Sequence, residues 1–252
     1  MVLAIVSLMA GAASVVALRA TQGNLKQKTA MRMQEIMTGM IGTPARADFG
    51  YLGDMGELPD SGLTQLLMRG SQTAAVADSV DGIVSGYAGP YLVLGGTAST
   101  TPVDFWGSSF SYTPGTPQLT SLGPDRTLGT ADDIVYPSVA PVVSGAVTVT
   151  VKGLLSAGGP PINLRSDEAS VAVFHTRASD NTRAQATVSY TGAQGSGIWL
   201  SSAVHLGYHG VSVTGLDATG SGGRSFSGSR ARSIVTVSRG PAFVELLLEE
   251  AP

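Results

Sequence analysis

The first eighteen positions, Met1–Leu18 (MVLAIVSLMAGAASVVAL), carry no charge, and Arg19 is the first ionic side chain. A run of that length is just enough to cross a bilayer as a helix. It opens without a basic region and passes without a small-residue cleavage pattern into the next segment, so it reads as retained and not as a signal peptide. There Leu25, Met31, Met33, Ile36, Met37 and Met40 recur near helical spacing among Lys26, Lys28, Arg32 and Glu35. That is an amphipathic continuation. The pattern predicts one helix over residues 1–40, loosened near Gly11 or Gly23, each of which lowers helix stability by roughly 1 kcal/mol relative to alanine. After Pro137 and Pro141 the period changes. Ala146–Lys152 (AVTVTVK) alternates strictly, as a half-buried strand does. Ser170–His175, Ala186–Tyr190, Gly197–Ser201, His209–Val213, Ser233–Ser238 and Phe243–Leu248 are further strand candidates between Gly, Ser and Asn turns. Short strands at this spacing predict a β-sandwich over 141–252. A Pro-rich junction that few contacts cross makes it separable from what precedes it.

Composition narrows the chemistry. Only 13% of the residues are charged, and 33 Gly with 13 Pro favour short strands and turns over long soluble helices. A net charge of −3 provides no basic surface for phosphates, so nucleic acid is not an expected partner. With no cysteine, disulfides, thiolate zinc sites and cysteine nucleophiles are excluded, which leaves packing or a hard cation held by oxygens to staple the fold. The Gly-rich run Thr219–Arg224 lacks the strand-to-helix context and the Lys-Ser/Thr pair of a phosphate loop. No G-x-S-x-G nucleophile motif is present. His205 and His209, with His175 some way off, have no carboxylate adjacent in sequence and read as strand-edge residues before metal ligands. No catalytic residue is therefore expected, and the chain reads as a non-enzyme.

The middle of the chain is richer in motifs. Tyr51–Leu67 (YLGDMGELPDSGLTQLL) leads from Gly and Pro turns into a short amphipathic segment, and Gly89-Pro90-Tyr91-Leu92, Asp104-Phe105-Trp106-Gly107 and Phe110-Ser111-Tyr112 follow in order. Trp106 and Tyr112 offer apolar area to clamp a small sheet onto the helix, and Gly107 permits the turn between them. Ser121–Ile134 (SLGPDRTLGTADDI) then gathers Asp125, Asp132 and Asp133 in a Gly-rich loop. Such a loop suits Ca²⁺, which takes six to eight oxygens from carboxylates and backbone carbonyls, and Leu122 and Leu128 lie where carbonyls can complete the shell. The EF-hand spacing is absent. The same residues also suit a surface turn in which Asp side chains cap backbone amides.

In order and content these segments, with the helix LAIVSLMAGAASVVAL, resemble type IV pilins, and most of all the major pseudopilin of type II secretion systems. The resemblance covers roughly residues 1–140, with Phe105 standing where that family usually has proline. The family's basic leader, peptidase site and assembly glutamate lie before the part that matches here. The resemblance implies an α+β fold in which a long hydrophobic helix (1–40) packs on a small antiparallel sheet (41–140) closed by a calcium loop, with the sandwich-like domain (141–252) appended. It further implies a methylated subunit in the bacterial inner membrane, assembling with itself into a helical filament. Its other partners would be minor pseudopilins, inner-membrane assembly proteins and, before assembly, membrane lipid. Its globular domains would stand in the periplasm or on the cell surface. The run His205–Asp217 is similar to the late strands of transthyretin-like or carboxypeptidase-regulatory-like modules, which implies architecture only. The alternative from another class is a membrane-anchored monomer that binds or adheres through the C-terminal β domain.

Overall fold

The computed structural model describes residues 2–60, 62–79, 82–94, 101–177, 180, 182–238 and 240–251, with side chains from Val16 onward. Helix α1 (Val2–Ile41) runs unbroken through Gly23. At 1.5 Å per residue it is about 60 Å long. Among its described side chains, from Val16 on, buried positions begin at Thr29. Met33, Ile36, Met37 and Met40, three and four apart, bury one face. Against that face pack Tyr51 and Met55 of the short helix α2 (Gly50–Met55), together with Leu66, Tyr112 and Leu119.

The chain between the helices and the sandwich is folded by turns. Strands β1 (Val76–Ala77) and β2 (Val84–Ser85) form a hairpin; β3 (Ser111–Tyr112), β4 (Leu119–Ser121) and β5 (Ile134–Tyr136) form a three-stranded antiparallel sheet. The Gly89–Leu92 segment is strapped across α1. The amides of Tyr91 and Leu92 both donate to the Leu66 carbonyl, and a Cβ at Gly39 would lie 2.7 Å from the Tyr91 carbonyl oxygen. Only glycine lets the strap come that close.

From residue 144 the chain forms β6 (Ser144–Gly145), β7 (Val147–Leu154), β8 (Ile162–Asn163), β9 (Ala169–Thr176), β10 (Arg183–Ala186) and β11 (Val188–Thr191). Then follow β12 (Ile198–Ser201), β13 (Val204–His205), β14 (Gly207–Gly215), β15 (Arg230–Val237) and β16 (Ala242–Glu249). One sheet has the order β10-β9-β14-β15; the other runs β11-β12-β7-β16, with β8 on β7, and β16 lies parallel to β7. Val147, Val149 and Val151 of β7 alternate inward and meet Val171, Val173 and Val211 of the facing sheet. Phe49 and Leu52 of α2 join this same core, so apolar contacts do cross between the front of the molecule and the sandwich.

Two expectations need correction. The α+β architecture, a hydrophobic helix laid on a small pilin-type sheet, is not what the chain adopts: the described residues are mostly β with one long helix. The physical reason lies in residues 41–140, where Gly and Pro turns cut the strands to two or three residues and split them between separate small sheets. The membrane-spanning helix and the inner-membrane localisation are overturned too. Among the described residues no helix is long and apolar enough to cross a membrane. Arg19, Gln22, Lys26, Gln27, Lys28 and Arg32 interrupt the described part of α1. Of the uncharged run Met1–Leu18, only Val16, Ala17 and Leu18 have described side chains.

Candidate functional site

The acidic loop joins β4 to β5 and is held by its own hydrogen bonds. The Thr127 amide donates to Asp125 Oδ1 at 2.8 Å, the Asp125 amide to Asp132 Oδ2 at 3.3 Å, and the Gly129 amide to Asp133 Oδ2 at 2.7 Å. The Thr130 hydroxyl donates to Asp132 Oδ1 at 2.8 Å. This bond, with help from the Asp125 amide, holds the Asp132 carboxyl below the usual carboxylate range. Gly123 has φ +64°, and a Cβ there would stand 2.6 Å from Asp132 Oδ2, so glycine is required for the loop to close on this carboxylate. Asp133 Oδ1 is buried without a hydrogen-bond partner. Leu122 is half-buried and Leu128 exposed. Among the described residues no three His, Cys, Asp or Glu side chains form a group placed to hold a metal ion, so Asp125, Asp132 and Asp133 share a loop without converging.

The motif aromatics divide. Tyr112 is buried in the front core, but Trp106 is only half-buried and donates its indole N–H to Gln22 Oε1 at 2.9 Å. Phe105 lies beneath Arg32 and Lys28, 4.7 and 5.9 Å from its ring centroid. A residue that sequence reasoning passed over ties this turn down. Asp104, 3% exposed, accepts the amides of Trp106 and Ser108 on Oδ1 and the Ser121 hydroxyl on Oδ2. Arg126 reaches from the acidic loop to the Trp106 carbonyl at 2.7 Å. Motif turn, loop and helix are thus one connected surface.

Beyond Gln22 toward its N-terminus α1 leaves that surface. Residues 16–24 are all exposed, with Val16 at 66% and Leu18 at 64%.

His205 and His209, close in sequence, and the distant His175 stack edge to face: His175 and His205 centroids are 6.0 Å apart, His205 and His209 5.0 Å. His209 is 0% exposed and donates from Nε2 to the His205 carbonyl at 2.8 Å; His205 Nδ1 donates to the Leu206 carbonyl. The other ring nitrogens, His205 Nε2 and His209 Nδ1, are buried without partners. Burial, then the neighbouring His175 and Arg183, pushes His205 down, and burial with the neighbouring His205 pushes His209 down to about 3. Burial, with one ring nitrogen of each left unpartnered, favours the neutral form of His205 and His209.

Comparison with known proteins corrects the expected family. No family model matches the chain, and no curated protein does. One solved structure was matched, the crystal structure of a DUF3823 family protein from Parabacteroides merdae, at 13% identity and a TM-score of 0.24. The match covers 44% of this chain and 47% of that one, and at that score it carries no argument about fold or function. Nothing found supports a pilin or pseudopilin, a secretion apparatus, or a pilus. The motifs that carried the resemblance are short Gly, Pro and aromatic turn segments, and such segments recur wherever a chain must bend tightly.

Proposed function

We propose that the chain is a structural protein without catalytic activity, which associates with further copies of itself through the exposed segment 16–24 of α1. The observation that supports this is the run of exposed positions 16–24 on α1. Among the described side chains of this 40-residue helix, residues 16–24 are all exposed, Val16 and Leu18 among them, and no Asp or Glu occurs before Glu35. Isolated helical segments gain little from propensity alone and depend on packing of an apolar face. A second copy of the same helix supplies that face. The test is sedimentation velocity on the whole chain and on the double variant Val16→Glu, Leu18→Glu. Both positions are exposed, so the fold should survive. The wild type is expected to sediment as an oligomer and the variant as a monomer; a monomeric wild type overturns the proposal. A second reading, a monomer that binds through the sandwich, draws on Phe243 and Leu247, exposed on one face of the edge strand β16. The same monomeric wild type would favour it.

Calcium belongs to the same proposal. The buried, unpaired Asp133 Oδ1 supports a cation at the loop, around which Asp125 and Asp132 and the Leu122 and Leu128 carbonyls would have to draw in. Because these carboxylates now accept loop amides, binding must break those bonds, which weakens the affinity. At a hundred times Kd the ion stabilises the fold by about 2.7 kcal/mol. The melting temperature is expected to rise with added CaCl2, to fall back with chelator, and to become insensitive to both in Asp133→Ala. Identical wild-type melting curves in calcium and chelator would refute it.

A further inference from the structure

A cavity of about 470 Å³ opens between α2, the β1–β2 turn and the start of β14. Its walls include the rings of Phe49, Tyr91 and Tyr208, and Ile83 and Ile234. Phe49 and Tyr208 meet edge to face at 5.4 Å, and the Tyr208 hydroxyl is anchored on the Ala47 carbonyl at 3.1 Å, so the aromatic side is held in place. Gly53 and Gly207 contribute backbone to the wall, and a Cβ on Gly53 would fall 2.4 Å from Phe49 Cβ. Two carboxylates, Asp48 and Asp54, share this wall. Asp54 Oδ2 accepts the Tyr91 hydroxyl at 2.7 Å, and Asp48 Oδ1 accepts the Gly50 amide at 3.0 Å. No Lys or Arg lines the cavity, and among the described residues neither aspartate has an ion-pair partner.

We propose that this cavity binds a small organic cation, a protonated primary amine carried on a flat apolar body. The size suits a ligand of that class, since small-molecule sites run from about 300 to 1,000 Å³ and are mostly apolar with a few placed polar groups. Two carboxylates beside aromatic rings, with no cation among them, supply what an ammonium group seeks: charge-assisted hydrogen bonds and ring faces. A neutral ligand leaves the acidic pair uncompensated; an anion is repelled by it. Burial, with Asp48 adding to it, raises the Asp54 carboxyl, so binding weakens as acid neutralises the partner charge.

The proposal is independent of self-association and is tested on the whole chain. Isothermal titration at pH 7 compares 2-phenylethylamine with 2-phenylethanol, which has the same body and no charge. The amine is expected to bind one per chain and about tenfold or more tighter than the alcohol. Asp54→Asn should erase that difference while Ile234→Trp, which crowds the wall without touching either carboxylate, should weaken both ligands. Asp48→Asn is the second charge variant should Asp54→Asn unfold, and it too should narrow the difference. Equal binding of amine and alcohol overturns the cation assignment, and binding of neither overturns the site. Undiminished amine binding in both charge variants places the ligand elsewhere and overturns it as well.

Discussion

Lowering the pH from 7 to 4.5 is expected to cost the fold about 2 to 3 kcal/mol through His209 alone. The sign follows from where the protons go. In the unfolded chain an imidazole titrates near 6.5, while in the fold His209 is pushed down to about 3, chiefly by burial, and His205 is lowered as well. Between those values the unfolded state binds protons that the folded state refuses. Stability is therefore whole above about pH 6.5 and is lost as the pH falls toward about 3. The charges these rings feel, beyond each other, are those of His175 and Arg183, and all of them oppose protonation. Domains are typically stable by only 5 to 15 kcal/mol, so the loss should be plain in urea unfolding curves at the two pH values. His209→Gln keeps a donor toward the His205 carbonyl but does not titrate. It should be less stable at pH 7 yet lose markedly less on acidification. A variant with the same pH dependence as the wild type would show that carboxylates and not the histidines are responsible.

Phe226→Ala is expected to destabilise by about 3 to 5 kcal/mol, the range for deleting a buried aromatic ring. Phe226 is 0% exposed and lies between β14 and β15, in contact with both sheets. A Cβ on Gly153 of β7 would fall 2.4 Å from its ring, and a Cβ on Gly215 of β14 would fall 1.9 Å from its carbonyl oxygen. The two glycines and the phenylalanine are one fitted unit with unequal parts. Gly153→Ala alone should be harmful, but in the Phe226→Ala background the new methyl partly fills the vacated space and should recover some stability. Gly215→Ala meets backbone, so removing the ring should not rescue it. Urea unfolding of the three single and two double variants checks this; purely additive effects at Gly153 would show that its missing side chain has nothing to do with the ring.

What the residues declare in advance depends on how local the cause is. The alternation of Val147, Val149 and Val151 with Thr148, Thr150 and Lys152 reads directly onto β7, because burial on one face of a strand imposes a period of two. The segment 186–190 misleads for the same reason. Its pattern is continuous, yet β10 ends at Ala186 and β11 begins at Val188 in the opposite sheet. A corner between sheets leaves each half strand correctly patterned. α1 was legible as a helix from its Met and Ile spacing, but a helical period does not say what lies against the helix, and the inference from an apolar run to a membrane went too far. The short motifs failed differently. GPYL and the acidic loop have clear structural roles, a strap over Gly39 and a self-bonded turn, which require those residues without fixing a family. The approach of His175 to His205 and the bond from Ser121 to Asp104 were illegible because they join residues distant in the chain, and only the fold brings them together.

The central claim, that copies of this chain meet along the exposed segment 16–24 of α1, is open to a direct measurement because the protein has no cysteine. A single cysteine placed at Leu18 and, in a separate protein, at Phe243, can be treated with a short bismaleimide at equal protein concentration. Both sites are exposed, at 64% and 73%, so reagent access does not distinguish them. The account predicts covalent dimers in high yield from Leu18→Cys and only background yield from Phe243→Cys. Equal yields at the two positions, or dimers from Phe243→Cys alone, would contradict it.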